Sequence, residues 1–144
     1  MEKISQRQQK RQTGQIGKEP EIQMELTSKD AAIAAVEALE NKKAEEIRII
    51  DISQASPLAD FFIICNGNNR NQVQALSDHV EETLGRMGFD RRPIEGYDNA
   101  NWILLDYHDV IIHIFDKENR SFYDIERIWR DGTEMSLEDL KQAK

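Results

Sequence analysis

Apolar positions along this chain fall into runs whose spacing marks the elements. Residues 101–115 hold two apolar stretches, Trp102 to Leu105 and Val110 to Phe115, around the polar break Asp106-Tyr107-His108-Asp109. This pattern predicts a β-hairpin with Tyr107-His108 as its two-residue turn. That register sets Leu105 opposite Val110, Leu104 opposite Ile111, Ile103 opposite Ile112 and Trp102 opposite His113. Side chains alternate between faces along a strand. One face of the hairpin is therefore all aliphatic (Ile103, Leu105, Val110, Ile112, Ile114). The other mixes Trp102, Leu104, Asp106, Asp109, Ile111, His113 and Phe115. The aliphatic face reads as core. The mixed face reads either as a second buried face under a helix or as a surface that meets a partner, since Trp is enriched in binding hot spots and carboxylates steer basic partners.

The remaining elements follow from the same patterning. Thr27 or Ser28 caps a helix that is rich in Ala, carries Ile33, Val36 and Leu39 as a stripe, and ends near Asn41. Residues 47–52 alternate as a strand, and 53–59 form a turn-rich link containing Ser56-Pro57. Residues 60–65, Asp-Phe-Phe-Ile-Ile-Cys, are apolar at both parities after the Asp, which is the pattern of a central strand covered on both sides. A helix over 70–87 follows, with Val73, Leu76, Val80, Leu84 and Met87 on one stripe and Gly88 as its stop. Residues 91–95 suggest a short strand, confined by Pro93 to an edge or a strand start. Residues 120–129 pattern as a helix with Phe122, Ile125, Ile128 and Trp129 on its apolar side. Ser136 is placed to cap a last short helix. The order is α-β-β-α-β-β-β-α, which predicts an α/β (α+β) domain: a mixed sheet of about five strands flanked by helices.

Composition sharpens this picture at the ends and on the surface. Residues 1–23 hold almost no large apolar side chain and carry five bases (Lys3, Arg7, Lys10, Arg11, Lys18) against three acids (Glu2, Glu19, Glu21). The segment is expected to be disordered; a basic arm on RNA, or a leader before a start at Met24, are the other readings. The organisation expected is a disordered segment over 1–23, one globular domain over 24–130 and a short tail over 131–144, helical in part. The whole 144-residue chain has a net charge of −8, which disfavours a direct grip on a phosphate backbone and favours docking on a basic protein. The single cysteine, Cys65, lies in an apolar run and reads as a small buried hydrophobe; one cysteine makes neither an internal disulfide nor a cysteine zinc site. The absence of a long apolar stretch and of an apolar leader core points to a cytoplasmic chain with no membrane span.

The residues that could serve catalysis also fit plainer roles. His79, His108 and His113 form no metal-binding helix motif, and His79 reads as a boundary residue. The strand–Gly–helix junction at residues 65–71 has one glycine and lacks the following Lys-Ser/Thr, so it falls short of a phosphate loop. Asp106 and Asp109 read as turn formers before they read as an acid–base or Mg²⁺ pair. No cofactor and no metal are expected.

The motifs together resemble a family. Residues 56–75, beginning Ser-Pro-Leu-Ala-Asp-Phe-Phe-Ile-Ile-Cys-Asn-Gly, are similar to the ribosomal silencing factor (Iojap-like) family. So are Glu95-Gly96, residues 102–106 and 109–115, and residues 120–129. The likeness spans about 26–129. It implies a fold like that of nucleotidyltransferases without their catalytic residues. It also implies a function: binding the large ribosomal subunit through its fourteenth protein, blocking subunit joining, and damping translation when nutrients are scarce. Carried over by motif, the contact candidates are Trp102, Leu104, Asp106, Asp109 and His113, with Tyr97, Asp98, Tyr123 and Glu126 as neighbours. His108 departs from the pattern, where the family places Gly. Sequence-specific nucleic-acid binding and membrane contact are not implied. The alternatives are a nucleotide-binding enzyme using Asp51, Asp60 or Asp106 with Mg²⁺, and a self-associating domain that forms a homodimer through the mixed face.

Overall fold

A computed structural model of the chain describes residues 25–120 and 131–142. Its elements are α1 (Ser28–Asn41), β1 (Glu45–Asp51), β2 (Phe61–Gly67), α2 (Arg70–Arg86), β3 (Trp102–Asp106), β4 (Val110–Asp116), β5 (Thr133–Met135) and α3 (Leu137–Gln142). The five strands form one sheet in the order β3-β4-β2-β1-β5. β2 and β4 run parallel; every other neighbouring pair is antiparallel. This is the mixed α+β sheet that the patterning predicts.

Local chemistry accounts for the helix ends. Thr27 caps α1 in a reciprocal box with Asp30, each side chain accepting from the other's backbone N–H. Asn69 caps α2 by accepting from the N–H of Gln72 at 2.8 Å. Gly88, at φ 94°, follows the end of α2 in the left-handed region that glycine enters freely. Ser136 accepts from the N–H of Asp139 at the start of α3.

β2 is buried at all seven positions because it lies between β1 and β4 and is covered on both faces. Alternation along the strands separates two apolar clusters. On the helical side, Ile49, Phe61, Ile63, Cys65, Ile103, Leu105, Val110, Ile112 and Ile114 pack against Ala31, Ala35 and Leu39 of α1 and Val73, Leu76, Val80 and Leu84 of α2. On the opposite side, Ile50, Ile52, Ala59, Phe62, Ile64 and Phe115 form a smaller cluster, with Trp102 and Ile111 half-buried at its margin.

Three expectations are corrected. The hairpin pairs Trp102 with Phe115, Ile103 with Ile114, Leu104 with His113 and Leu105 with Ile112, so its turn is His108-Asp109 and not Tyr107-His108. Tyr107 extends the ladder, its buried ring anchored in the helix-side core and its N–H donating to Val110 O. The slip is two residues, equal to the side-chain period, and so each residue stays on the face the pattern gave it. Residues 91–95 form no strand: only Glu95 bridges to Leu104, because Pro93 has no N–H to donate. The fifth strand is instead β5, paired with the outer edge of β1. The residues expected as a tail thus supply this strand besides the expected Ser136-capped helix, whose Leu140 is fully buried in the helix-side core. The leading segment and the helix expected over 120–129 lie outside the described residues, apart from Arg120. That residue is buried and donates to Glu46 O at 2.6 Å and to Asn66 Oδ1 at 2.7 Å, tying the end of the β4 loop to the start of β1.

Candidate partner-binding surface

β3 is an edge strand, and its side chains facing away from the helices are Trp102, Leu104 and Asp106, all half-buried. Trp102 stacks on Phe115, the residue opposite it, with ring centroids 5.3 Å apart. Its indole Nε1–H donates to His113 Nδ1 at 3.0 Å. His113 sits behind this pair, 6 % exposed and edge-on to Phe62 at 5.2 Å. Burial pushes its imidazole down to about 4, so it is neutral at physiological pH. Nδ1 accepts from Trp102, so the neutral ring carries its proton on Nε2. That atom is buried and has no hydrogen-bond partner among the described residues. The structure thus places His113 beneath the indole as its support, while Trp102 and Leu104 reach the surface.

The stripe runs into the hairpin turn. Asp106 Oδ1 accepts from the N–H of His108 at 2.8 Å, and Asp109 N–H closes a three-residue turn on Tyr107 O at 2.9 Å. His108 takes φ 73° to make it, a γ-type conformation uncommon for a residue with a Cβ. Burial and the Arg92 guanidinium both lower the His108 pKa. Beside the turn lies a groove of about 560 Å³ lined by Pro57, Leu58, Arg92, Asp106, His108, Asp109 and Ile111. Leu58 is 75 % exposed at its rim, and Asp109 is exposed beside it. An apolar wall and two carboxylates thus adjoin the aromatic stripe.

Not every candidate joins this surface. The Tyr97 hydroxyl donates to Asp78 on α2 at 3.0 Å, and its ring packs on the helix-side core, away from the face of Trp102. That hydrogen bond and the carboxylates around it raise the Tyr97 pKa. Asp98 is exposed in the same loop. Tyr123 and Glu126 lie outside the described residues. Leu58, Arg92 and Ile111 belong to the surface although they are not among the contact candidates of the sequence. The usable signal was a large apolar residue following a proline in a polar link, Pro57-Leu58.

The groups an enzyme would use have other engagements. Asp51 accepts from the N–H and hydroxyl of Ser53, and Asp60 from the hydroxyl of Ser28 at 2.7 Å. At the head of α2, Gln72 Oε1 accepts from the N–H of Asn68 and its amide donates to Lys43 O, filling the loop with the chain's own groups. Burial raises the Cys65 thiol to about 12, which keeps it protonated and a weak nucleophile. Among the described residues, no group of three or more His, Cys, Asp or Glu is placed to hold a metal ion. No described helix is long and apolar enough to cross a membrane.

Residues 25–144 match the family model described as ribosomal silencing factor during starvation. The chain is 35 % identical over 115 residues to the ribosomal silencing factor RsfS of Halalkalibacterium halodurans, covering 80 % of this chain and 98 % of that one. It is 36 % identical over 107 residues to the protein of the same name in Bacillus subtilis, covering 74 % of this chain and 91 % of that one. Among solved structures, a Chromobacterium violaceum protein superposes with a TM-score of 0.70 at 33 % identity, over 72 % of this chain and 87 % of that one.

Proposed function

The chain belongs to the ribosomal silencing factor family, and from that premise we propose that it binds the large ribosomal subunit through a basic protein, the fourteenth of that subunit, and sterically blocks joining with the small subunit. The general role, silencing ribosomes during starvation, comes with the family. The observation that carries the finer reading is the continuity of the Trp102–Leu104–Asp106 stripe with the groove at the hairpin turn. An interface of standard size takes about 800 Å² from each partner, more than one Trp and one Leu offer, so stripe and groove are read together. The aromatic anchor supplies hot-spot area, and Asp106 and Asp109, on a chain of net charge −8, attract and orient a basic partner. The mechanism is occupation of space: no bond is made or broken, and it operates in the cytoplasm, where ribosomal subunits join.

Co-sedimentation with purified large subunits tests the contact set. Leu58→Asp and Asp109→Lys change exposed side chains and are expected to leave the fold intact. Each is expected to weaken binding at least about tenfold, the scale of losing one well-placed interface residue. Trp102→Ala should abolish it. Wild-type binding by all three folded variants would contradict the assignment of this face.

A further inference from the structure

Arg91 and Arg92 are neighbours in sequence with opposite surroundings. The Arg91 guanidinium pairs with Glu81 of α2 and donates to the Arg92 carbonyl, a partly buried arrangement that ties the loop to the helix. Arg92 reaches the other way, into the groove at the hairpin turn. Its Nε stands 3.5 Å from Asp106 Oδ2, longer than a good hydrogen bond, and its side chain is 62 % exposed against 26 % for Asp106. Its backbone, by contrast, is fixed: the Arg92 N–H donates to Asp106 O at 2.8 Å. The guanidinium is therefore a loosely held cation on a rigid mount, poised over one of the two carboxylates of the proposed docking surface.

We infer that Arg92 is a built-in competitor at that surface: its guanidinium occupies the Asp106 carboxylate in the free protein, and a cationic side chain of the bound partner displaces it. The inference rests on the reading given under Proposed function and names the partner's chemistry at this point, a lysine or arginine whose aliphatic stem lies on Leu58 and Ile111. Three features support the exchange. The occupant already there is a guanidinium, so the site's geometry suits one. The pair is long and its guanidinium end is exposed, and ion pairs open to solvent in this way contribute little, so displacement is cheap. Asp109, beside it, is exposed and supplies a second carboxylate to the incoming cation. Arg92 also lowers the negative potential of the groove, which restrains association with basic surfaces of the wrong shape.

The test is a double-mutant cycle on the dissociation constant for purified large subunits, using wild type, Arg92→Gln, Asp106→Asn and the double variant. Removing Arg92 frees the carboxylate, so Arg92→Gln is expected to bind about two- to fivefold tighter, the fold-change equivalent of an exposed ion pair. In the Asp106→Asn background the same change should have no effect, because the carboxylate being competed for is gone. Weaker binding by Arg92→Gln would overturn the inference by making Arg92 itself a partner contact. Equal tightening in both backgrounds would overturn it by reducing Arg92 to a diffuse charge. Either outcome, obtained while Leu58→Asp still weakens binding, leaves the docking reading standing. Failure of the wild type to bind large subunits overturns both.

Discussion

His113 shows how the chemistry of one residue follows from its neighbours. Its folded pKa of about 4 lies below the ordinary histidine value of 6.5. As pH falls, the unfolded chain therefore takes up a proton before the folded one does. The stability contributed by keeping this ring neutral is complete above about pH 6.5 and is lost progressively toward pH 4. Between pH 7 and pH 5 the loss is about 2 kcal/mol. Urea midpoints across that window check it, and His113→Asn, whose side-chain oxygen can take the place of Nδ1 toward Trp102, should flatten the slope. An unchanged slope in the variant would assign the proton to another group. Strand parity put His113 on the same face as Trp102, and that was legible. Its depth was not, because depth comes in large part from Phe62 on β2, a neighbour of His113 only through strand pairing. Cys65 was readable outright: an apolar run on both sides of a thiol leaves it nowhere but the core.

At the scale of elements, the hairpin turn and the loop before it make two opposite demands on the backbone. His108 at φ 73° occupies a conformation that a Cβ disfavours and glycine does not. His108→Gly is expected to stabilise the protein by about 0.5–1 kcal/mol, offset in part by glycine's greater unfolded-state freedom, and thermal unfolding reads it as a rise of a few degrees. A fall would mean that contacts of the imidazole outweigh its backbone strain. Gly96 is the opposite case. It sits at φ 80°, and a Cβ there would stand 2.1 Å from Trp102 O. Gly96→Ala should therefore push the loop off β3 and lower stability by about 2 kcal/mol or more, measurable in the same experiment. The presence of the hairpin and both its faces could be read from the alternation. Its register could not, because a shift of two residues leaves the hydrophobic pattern unchanged and only the turn geometry at His108 decides it.

For the molecule as a whole, the order from α1 to α2, the hairpin and the central place of β2 followed from the sequence, since a short run apolar at both parities suits a strand covered on both faces. The identity of the fifth strand did not. Residues 91–95 looked extended but contain Pro93, whereas residues 133–135 are a short polar edge strand defined by pairing with Ile49, Ile50 and Asp51. Among the described residues, the sheet carries its helices on one side and the Trp102 stripe on the other, and gathers a groove with two carboxylates at the end where β3 turns into β4. A surface of this kind, meeting a basic partner, should lose affinity as salt is raised, because screening shortens the reach of exposed charges. Asp109→Asn should show a shallower salt dependence than wild type in co-sedimentation at stepped ionic strength; identical slopes would remove Asp109 from the interface.

The central claim is that a bound chain keeps the two ribosomal subunits apart, and a joining assay addresses it directly. Purified large subunits are incubated with the protein, small subunits are added at joining concentrations of Mg²⁺, and the fraction of joined ribosomes is read on a sucrose gradient. Wild type is expected to leave the subunits separate in proportion to the large subunits it occupies, and folded Leu58→Asp to permit joining. Full joining on large subunits shown to carry the bound wild-type protein would contradict it.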